Sequence, residues 1–320
     1  MAAMKIDRNL LRNGFASGAR KGFRSLLWVL KLLLPISFFT AFLEWTGWLY
    51  QVEFLFRPVM GLIHLPALAA LPLLIAIIAG FYGGIAAMTA LPFTLDQMTL
   101  ISIFILICHS LIQEGFIQGK SGLSPVAATL SRLGTAVVTI LVVGLFFDNP
   151  SGPSAGAHSL QTLSRPFVFF LKAWSLTTLN LAAKIFIILV GLSTLLEICK
   201  AMGWIDPLIR FLSPLWRFLG LSEKAGVLWI MGGVFGLIYG AAMIVEEVKG
   251  RRVSPEEVKK LQLSIGIQHS VIEDPLLLSS LGLSVFWIVV PRLVAAMAVV
   301  RVYALWKRKF GGSSSLHAGR

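Results

Sequence analysis

The heptapeptide Gln268-His269-Ser270-Val271-Ile272-Glu273-Asp274 is polar in an otherwise apolar chain, and it has a counterpart 160 residues earlier: Cys108-His109-Ser110-Leu111-Ile112-Gln113-Glu114. The same offset pairs Gly122-Leu123-Ser124 with Gly282-Leu283-Ser284, and Arg132 with Arg292. Seven of the 24 positions from His to Arg are identical without a gap, where chance gives about one or two. Upstream the offset is 156, pairing Gly47 with Gly203, Trp48 with Trp204, Pro58 with Pro214, Gly80 with Gly236 and Gly84 with Gly240. The chain is an internal repeat, so its fold is expected to be two similar halves related by a pseudo-symmetry axis.

Between these polar islands lie apolar runs long enough for a bilayer, which takes about 20 helical residues. With 57% hydrophobic and 13% charged residues, the expected fold class is an all-α integral membrane protein. The net charge of +13 does not indicate nucleic acid, because the basic residues flank the apolar runs, as cytoplasmic loops do. Cys108 and Cys199 both sit in apolar segments, which excludes a disulfide framework or a cysteine metal cluster. The basic first 24 residues lack the early apolar core of a cleavable signal.

Five regions are expected: a basic amphipathic N-terminal segment (1–24), a first membrane repeat (25–147), a Pro/Gly/Ser-rich linker (148–165), a second repeat with an interfacial start (166–310) and a disordered tail (311–320). The first repeat reads as four spans, about 25–46, 67–91, 95–117 and 124–147. Four is even, so the halves are expected to share orientation, giving about eight spans with both termini cytoplasmic in a bacterial inner membrane. An inverted repeat is disfavoured, because crossing by 166–180 would put two basic clusters outside. The polar third segments are alternatively re-entrant.

The candidate site is the duplicated cluster His109, Ser110, Gln113, Glu114 and Arg132 with His269, Ser270, Glu273, Asp274 and Arg292. On a continuous helix His109 and Gln113 share a face, as do His269 and Glu273. Arg132, as far past the turn as His109 is before it, reaches the same depth. Ionisable groups inside a bilayer normally face partners or a hydrated cavity, so the two clusters are expected to line one central chamber. The plainer reading makes Glu114–Arg132 and Asp274–Arg292 ion pairs that only lock the fold. A metal site is disfavoured by the nearby arginines, which suit an anionic ligand equally well. Ser110 and Ser270 adjoin histidines but point about 100° away from them, which is poor triad geometry. No nucleotide or zincin motif is present, so neither enzymatic activity nor a cofactor is expected. Glu246 and Glu247 read as a solvated loop, and Glu197 with Lys200 as an interfacial pair.

The duplicated His-Ser-x-Ile-(Gln/Glu)-(Glu/Asp) motif followed by Gly-Leu-Ser resembles the nucleoside-recognition, or Gate, domain superfamily of membrane proteins. That group includes spore maturation proteins A and B, the gate region of ferrous iron transporters and concentrative nucleoside transporters. The resemblance covers about residues 20–147 and 175–305 and implies a transporter-like fold. The expected function is a secondary transporter or permease that binds a nucleoside-like solute, a metal ion or an anionic lipid between its halves, with His and acidic groups exchanging a proton. The competing expectation is a non-transporting envelope scaffold. Expected partners are the lipid bilayer, a small solute or ion, and a second copy or another membrane protein, with no nucleic acid.

Overall fold

The computed structural model describes residues 8–148, 166–204, 221–235 and 253–310, with positions 207, 214, 216, 244, 246 and 247 between them. The expected linker after Asp148, the tail, the basic positions Lys249, Arg251 and Arg252, and Gly236 and Gly240 lie outside the described residues. Among the described residues there are helices and no strands, the structure a lipid-exposed backbone requires to satisfy its own polar groups. Five of these helical stretches are long and apolar enough to cross a membrane, or six if a bent pair is one span.

The chain opens with α1 (Arg8–Trp45). At 38 residues it is about 57 Å long, nearly twice the hydrocarbon thickness. The basic segment up to residue 24 therefore continues into the first span instead of lying apart from it. Its repeat partner α8 (Phe167–Ala201) is likewise one helix of 35 residues, and the separate interfacial start expected at 166–180 is absorbed into it.

Helices α1 and α8 pack against each other along their length and run in opposite directions. Lys21 Nζ lies 3.0 Å from Glu197 Oε1, the Ser37 and Thr178 hydroxyls are 3.5 Å apart, and Trp45 stacks on Phe170 with centroids 5.3 Å apart. The helices touch because α1 is notched by small residues. A Cβ on Gly18 would stand 2.3 Å from Thr194 Cα, and one on Gly22 would stand 2.5 Å from Val190 Cα. Lipid tails are as apolar as leucine, so close backbone packing of this kind drives association where hydrophobicity cannot. Equivalent helices of the two repeats are thus antiparallel, which corrects the expectation of repeats sharing one orientation.

After α2 (Trp48–Leu62) the chain bends by 92° into a 3₁₀ turn, Ala67–Ala69, and then α3 (Ala70–Ala79) and α4 (Phe81–Thr89). The expected span at 67–91 is not one crossing. Gly80, at φ +87°, reverses the chain in a conformation that costs glycine little. Gly84 then packs so closely on Ala76 that an added Cβ would sit 2.6 Å from the alanine's. Each arm is about 15 Å long, so the pair is a helical hairpin and neither arm alone has the length of the bilayer core. The count of eight spans relied on a straight helix here, and the described residues give a hairpin instead.

Then α5 (Leu95–Cys108) and α6 (Leu111–Lys120) form one broken passage, followed by α7 (Pro125–Gly144). In the second half α9 (Glu223–Phe235) corresponds to the first arm of the hairpin. The broken pair recurs as α10 (Pro255–Ile267) and α11 (Glu273–Ser280), and α12 (Val285–Phe310) matches α7. The two broken pairs also run in opposite directions. Gly122, past the end of α6, faces Val258 near the start of α10, and Gly282, past the end of α11, faces Leu95 at the start of α5.

Candidate functional site

Helix α5 begins firmly, with a capping box in which Gln97 N–H donates to Thr94 Oγ1 and Thr94 N–H donates to Gln97 Oε1. It stops at Cys108 without a glycine or proline. His109 is extended and Ser110 sits at φ +50°, ψ +32°, a left-handed conformation that costs a non-glycine residue about 1–2 kcal/mol. Ser270 has the same φ, +50°. A shared departure at repeat-equivalent serines marks a built feature. His109 and Gln113 therefore do not occupy one helical face: the expected i, i+4 relation fails at the break, Gln113 is exposed, and His109 is buried. His269 and Glu273 are likewise on either side of a break.

The hairpin tip supports the first break. Ala76 O accepts from both Gly80 N–H (3.0 Å) and Ser110 N–H (2.9 Å), and the Phe81 ring lies against His109. In the second half Val271 N–H donates to Gly233 O at 3.0 Å.

Breaking a helix frees the last carbonyls of its first part, and the two buried arginines take these up. Arg132 donates from Nε to Ile107 O (2.6 Å) and from Nη2 to His109 O (2.8 Å). Arg292 donates from Nε to Ile267 O (3.2 Å) and from Nη2 to His269 O (3.2 Å), and crosses the repeat boundary to Leu106 O (3.3 Å). A fixed positive fork at the negative end of a half-helix satisfies geometry and dipole together.

The two imidazoles meet between the repeats. His269 Nε2 is 3.0 Å from His109 Nε2, and each Nδ1 faces the carbonyl four residues back, Ile105 O at 3.0 Å and Ile265 O at 2.9 Å. Glu114 joins them from α6: Oε1 lies 3.4 Å from His109 Nε2 and 3.6 Å from His269 Nε2, while Oε2 pairs with Arg132 Nη1 at 2.6 Å. His109, His269 and Glu114 are thus one group of three buried donors able to hold a metal ion.

The second half is not a copy of this arrangement. Asp274, the counterpart of Glu114, is buried within electrostatic reach of Glu273, Arg292 and Glu114. The Tyr82 hydroxyl, on the hairpin of the first half, donates to Glu273. Seven of the ten candidate residues therefore gather at the interface, Ser110 and Ser270 shape the breaks through their backbones, and Gln113 is exposed.

Sequence reasoning missed Tyr82, Gln118 and Gln262. Gln118 Nε2 donates to Gln262 O and Gln262 Nε2 to Ser121 Oγ, both at 2.7 Å and both buried, tying α6 to α10. A glutamine inside an apolar helix was their available signal. Glu197 does bind Lys200 (3.1 Å), as expected, and also Lys21.

Outside the site, large apolar side chains such as Trp28, Phe39, Ile78, Val138, Leu179 and Ile187 are exposed, the surface a lipid phase would cover. The chain is 25% identical over 308 residues to the uncharacterized membrane protein YvoD of Bacillus subtilis (strain 168), covering 94% of this chain and 99% of that one. This protein is a multi-pass membrane protein. No family model and no solved structure matches it.

Proposed function

We propose that the protein is a secondary transporter or permease-like protein of the inner membrane, built from two inverted repeats. In this reading α1, α5–α6 and α7 cross in the first half, and α8, α10–α11 and α12 cross in the second, with the α3–α4 hairpin re-entrant beside the first set. An odd number per half turns the second over, a reading that the antiparallel packing of α1 and α8 supports. The distribution of basic residues supports the orientation. With the N-terminus inside, Lys120, Lys200, Lys259, Lys260 and the Lys307-Arg308-Lys309 end all fall on the cytoplasmic side.

The observation that carries the transport reading is the convergence of interrupted helices from both repeats, and one hairpin tip, on buried ionisable groups midway along the molecule. Discontinuous helices meeting at a repeat interface are the arrangement in which transporters hold solutes, and rocking of one repeat against the other alternates access. Purely structural charge pairs would need no such paired breaks.

Flux into proteoliposomes of nucleosides, divalent metal ions and anionic lipid headgroups tests it. The wild-type chain is expected to move one class, with His109→Ala/His269→Ala reducing the rate at least about tenfold. Unaltered flux in that double variant would remove the cluster from the mechanism.

A further inference from the structure

The two central imidazoles are held in a way that needs something between them. A carbonyl oxygen only accepts, so each Nδ1 facing Ile105 O or Ile265 O carries the ring proton. Each neutral ring then presents a bare lone pair at Nε2, and the two Nε2 atoms lie 3.0 Å apart on rings tilted by 51°. Two lone pairs at that distance repel unless a Lewis acid lies between them.

Glu114 completes the set. The three donor atoms, His109 Nε2, His269 Nε2 and Glu114 Oε1, are separated by 3.0, 3.4 and 3.6 Å. Ligands bound at 2.0–2.1 Å in tetrahedral geometry stand about 3.3 Å apart. Each donor also has the outer partner that metal ligands use to fix their orientation. The imidazoles donate to backbone carbonyls, and the second carboxylate oxygen is held by Arg132.

The arginines, which on sequence alone argue against a cation, are committed to the carbonyls of the broken helices. The cluster holds Arg132 and Arg292 against Glu114, Glu273 and Asp274, one acidic group in excess. Two imidazoles and one carboxylate suit Zn²⁺, Fe²⁺, Co²⁺ or Ni²⁺, whereas Mg²⁺ and Ca²⁺ prefer all-oxygen shells.

We propose that His109, His269 and Glu114 form a three-ligand site for a divalent first-row transition-metal ion at the interface between the repeats. The proposal rests on reading the cluster as the ligand site of a transporter and names its ligand class. Three protein donors leave at least one coordination position open, as metal sites that exchange or react do.

The test uses the full chain, purified in detergent without a polyhistidine tag, stripped with a chelator and titrated with Co²⁺. One Co²⁺ per chain is expected, with the intense visible absorption of a four- or five-coordinate site, displaced by Zn²⁺ but not by Mg²⁺ or Ca²⁺. His269→Gln and Glu114→Gln are each expected to weaken binding at least about tenfold. A chain with His64, His158 and His317 all changed to Ala should bind as the wild type does. A folded, monodisperse wild-type chain that takes up no Co²⁺ at micromolar concentration, as an imidazole pair sharing a proton would, overturns the proposal. So does binding that disappears with the three remote histidines or survives loss of the proposed ligands. If the Gln variants do not fold, the wild-type spectrum and the remote-histidine variant decide alone. Stoichiometric binding without ion flux would sink the transport reading and leave the site standing; flux of another solute by a chain that binds no metal would do the reverse.

Discussion

Arg132 and Arg292 are the two residues on which the centre most depends, and their work is directed at the backbone. Replacing Arg292 with Met would leave Ile267 O, Leu106 O and His269 O without their donor and Asp274 without nearby positive charge. The expected cost is about 3–5 kcal/mol, the range for a buried charge stripped of its partner, read as a lower melting temperature in detergent. Arg132→Lys should cost less, about 1–3 kcal/mol, because an ammonium can meet Glu114 but cannot span Ile107 O and His109 O as the fork does. The residue types at the site were legible because a charge inside an apolar run is costly and this set occurs twice. Their geometry was not. Nothing in Ile107-Cys108-His109-Ser110 ordinarily stops a helix, and the break depends on a hydrogen bond from Ser110 to Ala76 in a different element.

Among the elements, glycine does two separate jobs that look alike in sequence. Gly80 turns the chain, while Gly84, Gly18 and Gly22 make room for a neighbouring backbone or alanine. The run from 67 to 91 is long and apolar enough to cross, so length alone reads it as a span; the positive φ of Gly80 folds it into two half-length arms. The α1–α8 seam was equally hidden, because Gly14, Gly18 and Gly22 stand among arginines and lysines that suggest an interfacial helix. A contrast of two alanine substitutions tests that seam. Gly18→Ala places a Cβ 2.3 Å from the Thr194 backbone and should cost about 1–3 kcal/mol as the helices are forced apart. Gly134→Ala in α7 meets nothing within 4 Å and should stabilise by about 0.5–1 kcal/mol through helix propensity. Equal melting temperatures for the two variants would mean that α1 and α8 do not pack at Gly18.

For the whole molecule, the all-helical, duplicated character follows from composition and repeat, whereas the relation between the halves depends on the parity of crossings, which a single misread hairpin reverses. The basic clusters did not resolve this, because both counts return the N-terminus and the Lys307–Lys309 end to the cytoplasm. Two described positions separate them. With three crossings per half, Lys120 follows the second crossing and lies inside, and Asp148 follows the third and lies outside. With four, Lys120 would be outside and Asp148 inside. Single cysteines at 120, 148 and 308, in a Cys108→Ala/Cys199→Ala background, should react with a membrane-impermeant maleimide on intact cells at 148 only. Positions 120 and 308 should become reactive after permeabilisation. Labelling of 120 but not 148 on intact cells would restore parallel halves and contradict the antiparallel α1–α8 pair. It would also remove the proposed inverted symmetry, in which the broken helices carrying His109 and His269 enter from opposite sides of the bilayer.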